Sequence, residues 1–198
     1  MSITRLTLDL RTWRRMLYVS ELTGRLDPYP GIEQISWMLK DQNDRDIMRR
    51  HYLIQPGKQL FPEREVGRHA VDLAQARREG FHLEYVLQEL RQILTVFQPT
   101  LIVFEWELTQ HLLSEAPIAE NQWDAEEVPS VFCVRANADK LPSFPPYRGT
   151  LEGMSRRLFD RELLGFDGTY YLEALWDCYR TVYEKTKWIK SPLNQTQS

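Results

Sequence analysis

Residues 83–104 read LEYVLQELRQILTVFQPTLIVF and carry the two patterns that decide the fold. In residues 83–97 the apolar side chains recur at spacings of three and four, which predicts an amphipathic helix with one face in the core. Pro99 ends that pattern, and residues 100–104 form a continuous apolar run that is typical of a central strand covered on both faces. A helix that leads into such a strand indicates an α/β domain.

Upstream of this stretch the sequence predicts three strands joined as a meander. In residues 6–10 leucine alternates with polar residues, as in a strand with one buried face, and Asp9 lies near its end. Residues 32–39 and 50–54 have the composition of two further strands. Gly80 is the expected cap of a shorter helix that precedes the amphipathic one.

Downstream, the chain continues with alternating helices and one more strand. We expect a helix across residues 108–113, a surface loop over residues 115–129 and a fifth strand over residues 130–134. Thr150 is the predicted N-cap of the next helix. The last helix is predicted to bury Leu172, Leu175, Trp176, Tyr179, Val182 and Tyr183. The order βββ-α-β-α-β-α indicates a mixed sheet flanked by helices.

The composition is that of one folded domain. The chain has 198 residues, of which 42% are hydrophobic and 12% aromatic. We expect a single domain over residues 1–190 and a mobile tail over residues 191–198. No apolar run reaches the roughly 18 residues of a membrane span, so we expect a cytoplasmic protein that does not engage a membrane.

The overall charge argues against a globally basic nucleic-acid-binding surface. The formal net charge is −3, so binding of a polyanion must depend on a local groove. Pairs of arginines such as Arg49-Arg50 and Arg77-Arg78 could supply local phosphate contacts, although such pairs are also common on solvated helix faces.

Several collinear segments carry a resemblance to a known family. They are HYLIQPGKQLFP (51–62), HAVDLAQARREGFHLEYVLQEL (69–90), VFCVRAN (131–137), GTLEGMSRRLF (149–159) and ALWDCYRT (174–181). Together they resemble the DEDD superfamily of 3′–5′ exonucleases, of the DEDDh type found in the proofreading epsilon subunit of bacterial replicases. The resemblance implies a ribonuclease-H-like α/β fold with a mixed five-stranded sheet over about residues 5–185.

The same resemblance implies where catalytic residues should stand. The family holds two divalent metals with four carboxylates, because two ions stabilise the attacking and leaving oxygens, and a histidine acts as general base. Its positions fall here on Asp9, Arg11, Thr109, Leu172 and Asp177. Two aspartates remain as residual metal ligands, while a cation, a hydroxyl and an alkyl group replace two ligands and the base. The resemblance therefore predicts a degenerate site with no intact catalytic set.

Three local possibilities follow from these replacements. The guanidinium of Arg11 can bridge Asp9 and Asp177, which would otherwise face each other without an ion. Glu105 or Glu107 could be recruited as a substitute ligand, although carboxylates at a helix start are more often solvated. Tyr170 or Tyr171 could take the place of the histidine if the start of the last helix were shifted.

The leading functional hypothesis is a non-catalytic exonuclease-like domain that binds or scaffolds a single-stranded nucleic acid or a protein partner, with no cofactor. Arg11, Trp13 and Trp106 are the predicted nucleic-acid contacts, and Trp37 is a further candidate for base stacking. These tryptophans could equally belong to the core. The alternative is a divergent 3′–5′ exonuclease that uses Mg²⁺ or Mn²⁺ on single-stranded DNA or RNA. The sequence predicts no particular oligomeric state.

Overall fold

The computed structural model describes residues 5–12, 32–55, 73–114, 130–142, 144, 150–163 and 168–189. The predicted loop over 115–129, the predicted tail over 191–198 and Trp13 lie outside these residues. Within the described part, the side chains of residues 8–12 are also outside the description.

The described elements follow the predicted order of strands and helices, with one additional short helix after the fifth strand. The strands are β1 (Arg5–Thr12), β2 (Ile32–Lys40), β3 (Asp46–Leu53), β4 (Thr100–Val103) and β5 (Val131–Cys133). The helices are α1 (Leu73–Glu79), α2 (Leu83–Phe97), α3 (Trp106–Ser114), α4 (Val134–Ala138), α5 (Leu151–Phe159) and α6 (Gly168–Ile189). None of the helices in the described ranges is both long enough and apolar enough to cross a membrane.

The five strands form one mixed sheet in the order β3-β2-β1-β4-β5. β1, β2 and β3 are antiparallel neighbours, which confirms the predicted meander. β4 runs parallel to β1, and β5 runs parallel to β4. This arrangement confirms the predicted α/β fold with a mixed five-stranded sheet flanked by helices.

Both faces of the sheet are covered by helices. Neighbouring residues of β2 point to opposite faces, so each face can be followed through one of them. Trp37 belongs to a core cluster that includes Leu90 of α2. Met38 belongs to a second cluster that includes Leu172 of α6 and Ile102 of β4. The continuous apolar run of β4 is therefore explained by contacts on both of its faces.

Several element bounds differ from the sequence prediction. β3 begins at Asp46 rather than at residue 50, because charged residues at an outer strand fit a half-exposed surface that an apolar pattern does not reveal. Val134 was predicted to end the fifth strand, but it begins α4. Tyr183 was predicted to be buried with its neighbours on α6 and is only partly buried.

The ends of two helices were predicted correctly from local residues. The Thr150 hydroxyl accepts a hydrogen bond from the Gly153 backbone N–H at 3.4 Å, which confirms Thr150 as the N-cap of α5. α2 stops at Phe97, where Gln98 takes a left-handed conformation with φ of 42° and donates its backbone N–H to Leu94. Pro99 then prevents the helix from continuing.

Gly80 joins α1 to the end of β3 by close backbone approach. Its N–H donates to the Ala76 carbonyl at 2.9 Å. A Cβ atom at this position would lie 2.3 Å from the Ala76 oxygen and 2.7 Å from the Gln55 nitrogen. Both neighbours are backbone atoms, so neither can rotate away.

We therefore expect Gly80→Ala to lower the free energy of unfolding by ~1–3 kcal/mol, the usual cost of forcing extra atoms into a packed site. Urea unfolding followed by circular dichroism measures this change through the transition midpoint. An unchanged midpoint would show that α1 and the end of β3 are not in contact as described.

Candidate functional site

The backbone of β1 places Asp9 and Arg11 at the end of the strand that extends past β4. β1 pairs with β4 through Arg5, Leu6 and Thr7, whereas it pairs with β2 along its whole length. Asp9 and Arg11 therefore lie where a parallel neighbour ends, the edge at which α/β sheets commonly place ligand sites. Because their side chains are outside the description, the bridge of Arg11 between Asp9 and Asp177 stays a prediction.

The residues across β2 from this segment are polar and buried. Ser36 lies opposite Asp9, and Gln34 lies opposite Arg11. The Ser36 hydroxyl is hydrogen bonded to Nδ1 of His51, on β3, at 2.7 Å. Buried Gln34 has a side-chain carbonyl with no hydrogen-bond partner in the part of the chain that the structure describes. The polar character of this face extends across three strands, which the apolar pattern of β2 did not reveal.

Thr109, the predicted replacement for an aspartate ligand, has a structural role inside α3. Its side chain is buried, and its hydroxyl donates to the Glu105 backbone carbonyl at 2.8 Å. A hydroxyl that bonds back by one turn is turned toward its own helix. Thr109 therefore fits poorly as a ligand for a divalent cation.

The two glutamates beside Thr109 differ in their surroundings. The Glu105 carboxylate pairs with the Arg135 guanidinium of α4 at 2.8 Å. Glu107 is exposed in the first turn of α3, where the helix dipole favours a negative charge. Recruitment of either as a metal ligand stays a prediction, and Glu105 would first have to give up its arginine.

Leu172, the predicted replacement for the general base, is a core residue. It is completely buried in the cluster that contains Met38 and Ile102. Of the two tyrosines suggested as substitutes, Tyr171 is also buried, whereas Tyr170 is exposed. A side chain at position 172 cannot reach water in this packing. The residue at this position must therefore fit the apolar core.

Asp177 lies in a chain of ion pairs along the surface of α6. Its carboxylate is 3.4 Å from Nη1 of Arg161. Nη2 of Arg161 approaches Glu173 at 3.8 Å, and Glu173 in turn pairs with Arg49 of β3 at 2.9 Å. These groups are partly exposed, so each pair contributes little to stability. Arg161 supplies Asp177 with a positive partner that the sequence did not indicate.

Among the described residues, those at the positions that the resemblance assigns do not fit a two-metal centre of the exonuclease type. Divalent cations of this kind prefer several carboxylate oxygens around one point. At the positions that the resemblance assigns to a metal ligand and to the general base, Thr109 has a hydroxyl that is bonded to its own helix and Leu172 has a buried alkyl group. In the ranges that the structure describes, no three His, Cys, Asp or Glu side chains are grouped closely enough to hold an ion.

Two of the tryptophans that were considered for base stacking, Trp37 and Trp106, differ in how deeply they are buried. Trp37 was a candidate for base stacking, and that prediction is wrong because its side chain is completely buried. Trp106 is partly buried and packs against the same core cluster as Trp37. The sequence could not separate these cases, because an aromatic residue on an apolar face serves a core and a stacking site equally well.

Comparisons with known proteins find likeness in structure and none in sequence families. No model of a protein family matches the chain, and no curated protein matches it. A 3′-exonuclease solved for 3′-end specific recognition of a histone mRNA stem-loop aligns with a TM-score of 0.66 and 9% identity, over 92% of this chain and 81% of that one. A full-length 3′-exonuclease aligns with a TM-score of 0.69 and 8% identity, over 92% and 61% of the two chains.

E. coli exonuclease I in complex with a dT13 oligonucleotide aligns with a TM-score of 0.67 and 14% identity, over 94% of this chain and 42% of that one. The chain thus spans less than half the length of exonuclease I. At such low identity these likenesses show the fold. The fold is that of the 3′–5′ exonucleases, which confirms at this level the resemblance seen in the sequence.

Proposed function

We propose that this chain is a catalytically degenerate 3′–5′ exonuclease-like domain that binds single-stranded nucleic acid without cleaving it. The observation that carries the proposal is the complete burial of Leu172, which stands at the position that the resemblance assigns to the general base. Loss of a general base alone typically costs ~10²–10⁴ in rate. The engaged hydroxyl of Thr109 supports the loss of a metal ligand at a second position that the resemblance assigns.

Nucleic acid is favoured over a protein partner by the structural neighbours. One was solved with recognition of an RNA 3′ end and another with a dT13 oligonucleotide, and both share this fold. A third was solved as a complex of exonuclease I with SSB-Ct, which keeps a protein partner as the competing outcome. We place the domain in the cytoplasm as part of the same proposal.

Degradation of 3′-labelled single-stranded DNA and RNA, with Mg²⁺ and with Mn²⁺, tests the loss of catalysis. The matched control is the double variant Asp9→Ala/Asp177→Ala, which lacks both residual carboxylates. We expect no degradation by either protein. Degradation by the natural chain that disappears in the double variant would instead establish a divergent metal-dependent exonuclease that uses Asp9 or Asp177.

Fluorescence anisotropy of a labelled oligothymidylate, measured in EDTA at two salt concentrations, tests the binding. We expect binding that weakens steeply as salt rises, because bound arginines release counterions from the phosphates. Absence of binding at the lower salt concentration would overturn the nucleic-acid proposal and leave the protein partner.

A further inference from the structure

Phe81 and Tyr85 form an exposed pair of stacked rings beside the end of β3. Their side chains are 46% and 57% exposed. The ring centroids are 6.3 Å apart and the planes are tilted by only 20°. We call these two residues the aromatic platform.

The platform is held in place from below. The ring of Tyr52 contacts Phe81 edge-on, with centroids 5.0 Å apart at 80°. The Tyr52 hydroxyl donates to the Glu89 carboxylate at 2.5 Å. Burial, and then this hydrogen bond, raise the pKa of Tyr52 to about 12, so the donor keeps its proton at neutral pH.

The backbone of Phe81 is also held in place, by two hydrogen bonds to the end of β3. Its N–H donates to the Leu53 carbonyl at 2.8 Å, and its carbonyl accepts from the Gln55 N–H at 2.8 Å. An exposed ring on a backbone that is already ordered loses little conformational freedom when a ligand stacks on it. The platform is therefore preorganised.

Two arginines, Arg77 and Arg50, belong to the segments that surround the platform. Arg77, at the end of α1, is joined to the same segment because its carbonyl accepts from the Gln55 side chain at 3.2 Å. Its guanidinium is exposed and, within the ranges that the structure describes, has no ion pair or hydrogen bond. Arg50 is 45% exposed, pairs with Glu89 at 3.4 Å and donates to the Arg49 carbonyl at 3.1 Å. Glu84 is the acidic neighbour in the first turn of α2, so the surface around the platform is mixed in charge, and Arg77 offers a phosphate the guanidinium that has no partner among the described residues.

The platform lies at the end of the sheet that carries Asp9 and Arg11. Leu53, which holds Phe81, pairs with Gln34, and Gln34 pairs with Arg11. Adjacent strands are ~5 Å apart, so Leu53 lies roughly 10 Å from Arg11 across the sheet. The platform lies on the face of the sheet that carries Trp37 and Tyr52, opposite to the face of Ser36, which pairs with Asp9, so a strand that reaches Asp9 has to pass around the end of the sheet to reach the platform.

We propose that the aromatic platform of Phe81 and Tyr85 is a stacking site for an unpaired base of single-stranded nucleic acid, with Arg77 and Arg50 at its phosphates. The inference rests on the proposed function and identifies where that function recognises bases. Stacking suits this surface because every base offers a flat face, so two nearly parallel rings bind bases without requiring a sequence. The separate arginines fit the regularly spaced phosphates of one strand better than a compact acidic surface of a protein.

The test compares affinities of two probes for matched variants. The probes are a fluorescein-labelled oligothymidylate and an abasic strand of the same length and charge. Tyr85→Leu keeps an apolar side chain but removes the ring, and Tyr85→Phe keeps the ring. Phe159→Leu removes an exposed aromatic residue of α5 and serves as the control. Circular dichroism confirms that each variant is folded.

We expect Tyr85→Leu to weaken binding of the oligothymidylate by about 5- to 150-fold, which corresponds to the loss of one stacked base. Tyr85→Phe and Phe159→Leu should bind like the natural chain. The abasic strand should bind the natural chain and Tyr85→Leu equally, because phosphate contacts are unchanged.

Two outcomes contradict the inference in distinguishable ways. If the natural chain binds oligothymidylate and Tyr85→Leu binds it equally well, the platform is not the stacking site, while the proposed function stands. If the natural chain does not bind oligothymidylate at all, the proposed function and the stacking site are both overturned.

Discussion

Replacing Leu172 by His, the residue that the resemblance to exonucleases assigns to this position, is expected to destabilise the protein by about 3 kcal/mol or more and to restore no nuclease activity. The side chain at 172 is completely buried between α6 and the sheet. An imidazole there loses its water without gaining an assured partner, which costs ~1–3 kcal/mol in proteins, and it also fits the apolar space poorly.

Urea unfolding measures the loss of stability, and Leu172→Met is the matched control. Methionine keeps the volume and the apolar character of leucine, so Leu172→Met should lower the free energy of unfolding by less than ~1.5 kcal/mol. A Leu172→His protein that is as stable as the natural chain, or that gains metal-dependent nuclease activity, would show that this position faces a solvent cleft.

Trp37→Ala is expected to lower the free energy of unfolding by ~3–5 kcal/mol, because it removes a large, completely buried ring from the centre of the sheet. We expect the same substitution to disturb the position of the aromatic platform. Trp37 packs on Tyr52 with centroids 5.2 Å apart, and Tyr52 supports Phe81. Any loss of oligonucleotide binding in this variant is therefore indirect, through the core.

Trp37→Phe separates the ring from the indole nitrogen. Nε1 of Trp37 is buried and has no hydrogen-bond partner in the described part of the chain. Phenylalanine removes that unsatisfied group while it leaves a smaller cavity than alanine does, so the two effects oppose each other. We expect a much smaller loss of stability than for Trp37→Ala, measured by the same urea transitions. Equal losses for both variants would contradict this account.

The fold was predictable because its signals are periodic. The helix over residues 83–97 and the apolar run that became β4 were both found from spacing alone. The amino-terminal half of β3 was missed because Asp46, Arg49 and Arg50 face partly into solvent on an outer strand, where no apolar alternation is required. Local capping chemistry succeeded at Thr150, where one hydroxyl meets a nearby backbone N–H.

The site was less predictable because its features depend on contacts distant in sequence. Arg161, which follows α5, meets Asp177 of α6 sixteen positions further along the chain, and Arg135 meets Glu105 only because β4 and β5 are neighbours. The exposed platform had one local signal, a phenylalanine directly after the glycine that ends α1. Whether that ring is buried or exposed depends on how α2 packs on the sheet.

The position of β3 at the rim of the sheet has a consequence for how copies of the protein behave in concentrated solution. A rim strand exposes backbone groups that can template the addition of another chain. Here the rim carries Asp46, Arg49 and Arg50, and a bulge disturbs its pairing where Leu39 gives way to Lys40. Two copies brought rim to rim would have to bury these charges and fit two bent strands together. The charged, irregular rim thus discourages fibril-like growth.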